Sequence, residues 1–124
     1  MPELMDVPVI EAGQGSVTAT IDGEPVGRLT YHTVGDDGAA QLLHVEVDSR
    51  FRRSGLGTLL LKRAFTAAAD ELHGEPLRRF WCMARHERDV VLRAWLGQRG
   101  FHHVATVPDL AGDEDGLVYV RTFD

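Results

Sequence analysis

The chain has 124 residues, 44% of them hydrophobic and 26% charged, and a formal net charge of −6. That length suits one compact domain (residues 1–124) and is short for two, and the composition excludes a disordered tail or a fibre. The acidic balance argues against nucleic acid, whose phosphates call for a basic surplus, and the absence of any apolar run near the ~20 residues that span a bilayer argues against a membrane protein.

From the N-terminus, Met1 to Ile10 lacks the basic-then-apolar order of a secretory leader, so a cytoplasmic protein is expected. An extra strand is allowed at Val7 to Glu11. Ser16 to Asp22 alternates Val17, Ala19 and Ile21 against Thr18 and Thr20 and ends in Asp22-Gly23, a strong signal for a tight hairpin. Val26 to Val34 is the returning strand. After a turn at Gly35-Asp36-Asp37-Gly38, Ala40 to Asp48 reads as a third strand, with Leu43, Val45 and Val47 facing one way and His44 and Glu46 the other. Beyond Arg52-Arg53-Ser54-Gly55-Leu56-Gly57, Leu61, Phe65, Ala68 and Leu72 recur at helical spacing opposite Thr58, Lys62, Thr66 and Asp70. That helix stops at His73-Gly74-Glu75-Pro76. Leu77 to Ala84 reads as a strand, Asp89 as the cap of a helix through Arg99, and Phe101 to Val107 and Leu117 to Phe123 as strands flanking an acidic loop. The expected fold is α/β of the α+β kind: a mixed, mostly antiparallel sheet in the order βββ-α-β-α-ββ, with helices on both faces.

A strand running into a glycine turn and then a helix presents free N–H groups at a positive helix terminus, which is an anion site. Gly55 and Gly57 let a phosphate approach the main chain, and Arg52 and Arg53 add charged donors. A dinucleotide fold would want a third glycine after the first strand of a parallel unit, and a P-loop would want Gly-Lys-Ser/Thr; neither is present. Basic residues gather at Arg50, Arg52, Arg53, Lys62, Arg63, Arg78, Arg79, Arg85 and Arg88, and acidic ones at Asp36, Asp37, Asp109, Asp113, Glu114 and Asp115. Either these are ordinary solvated faces, or the chain holds a polyanion and attracts a cationic second substrate.

With Arg52-x-x-Gly55-x-Gly57 in this context, the chain resembles the GNAT superfamily of N-acetyltransferases, whose signature is Arg/Gln-x-x-Gly-x-Gly/Ala. His44-Val45-Glu46-Val47-Asp48 looks like the family's splayed strand, and Trp95 to Phe101 like its later segment ending in Gly-Phe; the resemblance covers about residues 16–123. It implies a sheet opened as a V, acetyl-CoA or another acyl-CoA as co-substrate, and acyl transfer by direct attack of a primary amine, on a small molecule or a peptide. It also implies that the main chain of Val45 and Val47 pairs with pantetheine and polarises the thioester. The N–H groups of Arg52, Arg53, Ser54, Gly55, Leu56, Gly57 and Thr58 would hold the pyrophosphate. Two departures matter. The fifteen residues before Ser16 leave no room for the family's two early helices, so the acceptor side is open or closed by a partner in a homodimer. The family's thiolate-protonating tyrosine is replaced by Leu96, and its helix-opening asparagine by Asp89.

A thiol of pKa roughly 8.5 leaves tolerably as thiolate, whereas an amine near about 10.4 must first lose a proton, so the base matters more than the acid. Glu46 is the first candidate, His44 on the same strand face the second, and His86, in the loop after the fifth strand, the third. Each has a plainer reading as an ion-paired, hydrogen-bonded or solvated residue. Tyr31 and Tyr119 are acids only if folding brings them to the thioester. Cys82, with apolar alternate neighbours, reads as core, and His102-His103 lacks a third ligand, so no metal site is expected. The competing reading is a non-catalytic acyl-CoA sensor or interaction module, and a binding domain for another nucleotide is also open.

Overall fold

Hairpin signals and alternating apolar residues deliver four strands before the first helix: β1 (Val9–Gly13), β2 (Ser16–Ile21), β3 (Glu24–Val34) and β4 (Ala39–Val47). They are followed by α1 (Leu56–Glu71), β5 (Arg79–Arg85), α2 (Val90–Gln98), β6 (His102–Ala111) and β7 (Glu114–Thr122). The structure, a computed structural model, describes residues 7–34, 37–52 and 54–123, with Ala111 by its backbone. Residues 1–6, Gly35 and Asp36 of the expected turn, and Arg53 of the glycine turn lie outside the described residues. The strands form one sheet in the order β1-β2-β3-β4-β5-β7-β6, antiparallel except between β4 and β5. Among the described residues no helix is long and apolar enough to cross a membrane.

The mixed sheet and the element order match the sequence reading, and the placement of the helices is narrower than expected. Connections β4-α1-β5 and β5-α2-β6 step the same way across the sheet, and right-handed crossovers in one direction put both helices on one face. Packing agrees: Leu60, Leu61 and Ala64 of α1 and Leu96 of α2 share one core with Leu29, Phe80, Leu117 and Tyr119. Alanines at 64, 67 and 68 let α1 lie close to the strands, and each leucine it buries is worth about 2 kcal/mol. Phe80, at the centre, meets the rings of Phe65 at 5.1 Å, Tyr31 at 6.3 Å and Phe101 at 6.5 Å. The other sheet face carries Thr18, Arg28, His44, Glu46, Trp81 and Met83 and is covered by neither helix.

Two readings are corrected. Leu43 does not face the core with Val45 and Val47. Thr30 pairs with His44 and Tyr31 with Leu42, so Leu43 is a β-bulge; it is exposed, and the inward set is Ala40 and Leu42 before the bulge and Val45 and Val47 after it. The acidic stretch is also no separate loop. β6 and β7 run through it as a hairpin whose tip is Gly112-Asp113. Charged side chains on an edge hairpin hide the alternation that a half-buried strand would show.

Candidate active site

β4 pairs with β5 only from Ala39 to Leu42, against Arg79 to Cys82. Beyond Cys82, β5 stays with β7 as far as Arg85, and β4 stays with β3 as far as Val47, so the two halves of the sheet part. In an antiparallel strand the N–H and C=O of one residue point the same way, and successive residues alternate. The Asp48 N–H donates to Val26 O at 2.8 Å, toward β3, so past the bulge Glu46 points toward β3 and Val45 and Val47 point into the gap. The Val47 carbonyl accepts from Arg52 Nε at 3.3 Å. The gap therefore has one wall of main-chain polar groups that β5 does not pair.

The gap leads to the glycine turn. Asp48 starts a 3-10 turn over Ser49–Phe51, accepting from the Arg50 N–H at 2.9 Å and its guanidinium at 3.1 Å. Ser54 donates its N–H to Phe51 O at 3.2 Å and its hydroxyl to the same carbonyl. Gly55 sits at φ +87°, left-handed, immediately before α1, and a Cβ there would meet nothing within 4 Å. The first helical bond runs from Leu59 N to Gly55 O at 3.1 Å, which leaves the N–H groups of Leu56, Gly57 and Thr58 without intrahelical acceptors. Gly57 has a different reason to be glycine: a Cβ would come within 3.3 Å of the Trp95 ring, so its bareness lets α2 pack onto the start of α1. Three aimed donors, an open space over Gly55 and the adjoining Arg52 suit a diphosphate.

Of the candidate bases, the strand brings two together. His44 Nε2 and Glu46 Oε2 are 3.8 Å apart on the uncovered face, both well exposed, with Thr30 and Arg28 as their partners on β3. His86 lies past the end of β5; its N–H donates to Asp115 O at 3.1 Å and its carbonyl accepts from Arg93 at 2.7 Å. No hydrogen bond or ion pair among the described residues joins it to His44 or Glu46. Its loop is pinned by Glu114, which is buried and accepts from the N–H groups of Glu87 at 2.7 Å and Arg88 at 3.0 Å. Arg88 Nε stands 2.8 Å from the other Glu114 oxygen but off the hydrogen-bonding direction, so that contact is electrostatic. Asp115 accepts from the Asp109 N–H at 3.2 Å. Two of the four acidic residues thus hold the fold.

Among the described residues neither tyrosine hydroxyl hydrogen-bonds the gap's main-chain wall. Tyr31 is buried at the far end of α1 and donates to Glu71, and burial, with that neighbouring carboxylate, pushes its hydroxyl well above the usual range. The Tyr119 hydroxyl accepts from Arg93 Nε at 3.0 Å beneath α2. Leu96, where the family's tyrosine would stand, is fully buried. Burial, and then the charge of Asp89, pushes the Cys82 thiol up to about 12, which removes it as a nucleophile. Among the described residues no cluster of His, Cys, Asp or Glu could hold a metal.

Asp89 precedes α2 but does not cap it with its side chain. The carboxylate turns back to the Arg85 N–H at 2.7 Å and the Arg85 guanidinium at 3.0 and 3.1 Å, tying the end of β5 to the helix. The side-chain bonds from Arg85 hold the Asp89 carboxyl below the usual carboxylate range. A carboxyl whose folded pKa is depressed contributes stability above its unfolded pKa and loses it as pH falls through the folded value. The urea midpoint should therefore drop on acidification below about pH 4, and drop less in Asp89→Asn. Equal acid sensitivity in the two proteins would refute this role.

Sequence reasoning missed Arg28, opposite Glu46, because the register of two strands is not written in either one.

No curated protein sequence matches the chain as a relative. Among solved structures, a GNAT-family acetyltransferase of Desulfovibrio desulfuricans, described as putative, aligns with 23% identity over 86% of this chain and 68% of its own, at TM-score 0.76. The ribosomal-protein-S18-alanine N-acetyltransferase of Escherichia coli aligns with 22% identity over 90% and 71%, at 0.66. A putative streptothricin acetyltransferase of Bacillus anthracis, solved with acetyl coenzyme A, aligns with 16% identity over 88% and 62%, at 0.75. At these identities the likeness establishes the fold. The family model described as Acetyltransferase (GNAT) family matches residues 3–101, from before β1 to the start of β6, and with four-fifths of its length so matched the chain belongs to the GNAT acetyltransferases.

Proposed function

We propose that this protein is an N-acetyltransferase that moves the acetyl group of acetyl-CoA onto a primary amine by direct attack. The observation that carries the reading is the meeting of the β4–β5 gap with a helix start whose first three N–H groups have no intrahelical acceptor. One feature could orient a pantetheine arm and the other a pyrophosphate, and their junction puts an extended acyl-CoA along a single path. Acetyl-CoA supplies an activated acyl carbon. Leu56, Gly57 and Thr58 donate N–H groups to the pyrophosphate, with Arg52 and Ser54 at its edge and Arg53 adjoining in sequence. Val45 and Val47 align the arm, and a main-chain N–H from this strand polarises the thioester oxygen as charge gathers on it. Glu46, with His44 beside it, accepts the ammonium proton directly or through water, freeing the nitrogen lone pair. The C–N bond forms, the C–S bond breaks, and the thiolate leaves; the acylated nitrogen gives its second proton to solvent, and with Leu96 in the tyrosine's place the thiolate is protonated by solvent. His86 is assigned to the acceptor's approach. The acceptor is a small molecule or peptide amine, and the uncovered face leaves room for it or for a second copy that walls it in.

Thiol release from acetyl-CoA across a panel of diamines, aminoglycosides and peptides with free N-termini tests the reading. Turnover should appear with at least one amine, and Glu46→Gln should lower kcat by about 100-fold without altering acetyl-CoA affinity. Cofactor binding with no thiol release from any amine would favour the sensor reading. Unchanged kcat in Glu46→Gln would remove Glu46 as base.

A further inference from the structure

Beside the glycine turn lies a second feature that the transfer reaction does not use. A cleft of about 420 Å³ opens between α1 and the end of α2, lined by Thr58 and Lys62 on one side and Arg99 and Arg121 on the other. Among the described residues no acidic side chain lines it. None of the three cations takes part in an ion pair among the described residues, whereas Arg50, Arg85 and Arg88 all do. In a chain of net charge −6, three unpaired cations converging on one cleft mark a place kept for an anion.

The guanidinium groups are fixed, and they keep donors in reserve. Arg99 gives Nε to Thr58 Oγ1 at 2.7 Å and lies over the Trp95 ring at 5.4 Å, and among the described residues neither of its Nη atoms makes a hydrogen bond. Arg121 gives Nη1 to the Arg99 carbonyl at 2.7 Å and rests on the rings of Phe65 at 5.0 Å and Phe123 at 5.2 Å. Lys62, one turn along α1 from Thr58, is exposed, and its long side chain can reach into the cleft it lines. Thr58 belongs to both places: its N–H is one of the three helix-start donors without an intrahelical acceptor, and its hydroxyl braces Arg99. An anion in the cleft is therefore continuous with one on the turn.

We propose that this cleft holds the ribose 3′-phosphate of coenzyme A, with Lys62, Arg99 and Arg121 as its ligands, so that the protein selects the 3′-phosphorylated cofactor. The assignment rests on the acetyl-CoA reading above. A phosphomonoester carries close to two charges and three acceptor oxygens, which matches a pair of guanidinium forks and an ammonium. Thr58 supplies the link, because pyrophosphate and 3′-phosphate sit on opposite sides of one ribose.

Calorimetric titration of the full chain with coenzyme A and with dephospho-coenzyme A tests it, using the wild type, Lys62→Gln and Lys62→Gln/Arg99→Gln. Coenzyme A should bind the wild type at least about tenfold more tightly than its dephospho form. Lys62→Gln should shrink that ratio, and the double variant should bring it near one, chiefly by weakening coenzyme A. Retention of the wild-type melting temperature by Lys62→Gln keeps the comparison free of folding defects. Equal affinities in the wild type, or an undiminished ratio in the double variant, overturn the 3′-phosphate site and leave the acetyl-CoA reading standing. Failure of both ligands to bind the wild type overturns both.

Discussion

A chain carrying Gly55→Glu is expected to lose acetyl-CoA binding by about 100-fold or more while remaining folded. Two effects act at this position, and a second variant separates them. Any residue with a Cβ is strained at φ +87°, at a cost of about 1–2 kcal/mol. A carboxylate there would also project over the helix-start N–H groups of Leu56, Gly57 and Thr58, where it would be attracted by the helix terminus and would occupy the donors meant for a phosphate. Gly55→Ala carries the strain without the charge, and the space around an added Cβ is open. It should melt lower than the wild type and bind acetyl-CoA within a few-fold of it. Calorimetry with acetyl-CoA and a thermal melt on both variants give the result. If Gly55→Glu binds as the wild type does, the turn does not hold the pyrophosphate.

Phe80→Ala should destabilise the fold by about 3–5 kcal/mol, a large share of the roughly 5–15 kcal/mol that holds a domain of ordinary stability. Phe80 is fully buried among Tyr31, Phe65 and Phe101, and truncation would leave a ring-sized cavity walled by rigid rings that cannot collapse into it. Its position adds a functional consequence. Ala40 and Phe80 pair within the four-residue ladder that joins the two halves of the sheet, so a void there loosens the vertex of the gap. Urea unfolding should show the loss, and acetyl-CoA binding measured well below the unfolding midpoint should weaken as well. A loss under about 1 kcal/mol would mean that neighbouring side chains refill the site.

The elements themselves were legible in the sequence because each is specified locally. Asp22-Gly23 closes a hairpin by turn geometry, and Leu61, Phe65, Ala68 and Leu72 recur at helical spacing along α1 and its end. Three matters were not legible, and each depends on partners remote in sequence. Leu43 is a bulge only because β3 offers one residue opposite two, which no alternation within β4 reveals. Glu114 looks like its acidic neighbours until the fold sets it beneath the N–H groups of Glu87 and Arg88. Arg99 and Arg121 come from elements at the end of the chain, 41 and 63 residues beyond Thr58, and become neighbours of the glycine turn only through the second crossover. The turn was readable because one hexapeptide contains both the bend and the donors. The acceptor side is not contained in any such stretch, since its walls are a strand face and whatever lies against it.

Cys82 gives this molecule a built-in gauge. It is the chain's only thiol, and it stands opposite Leu42 in the last rung of the ladder before β4 and β5 separate. Buried and held protonated, it should ignore a disulfide dye over the time of an enzyme assay, so colour in that assay comes from released coenzyme alone. The slow labelling that remains measures how often the last rung opens, and comparing its rate with and without acetyl-CoA would report whether the ligand closes the sheet.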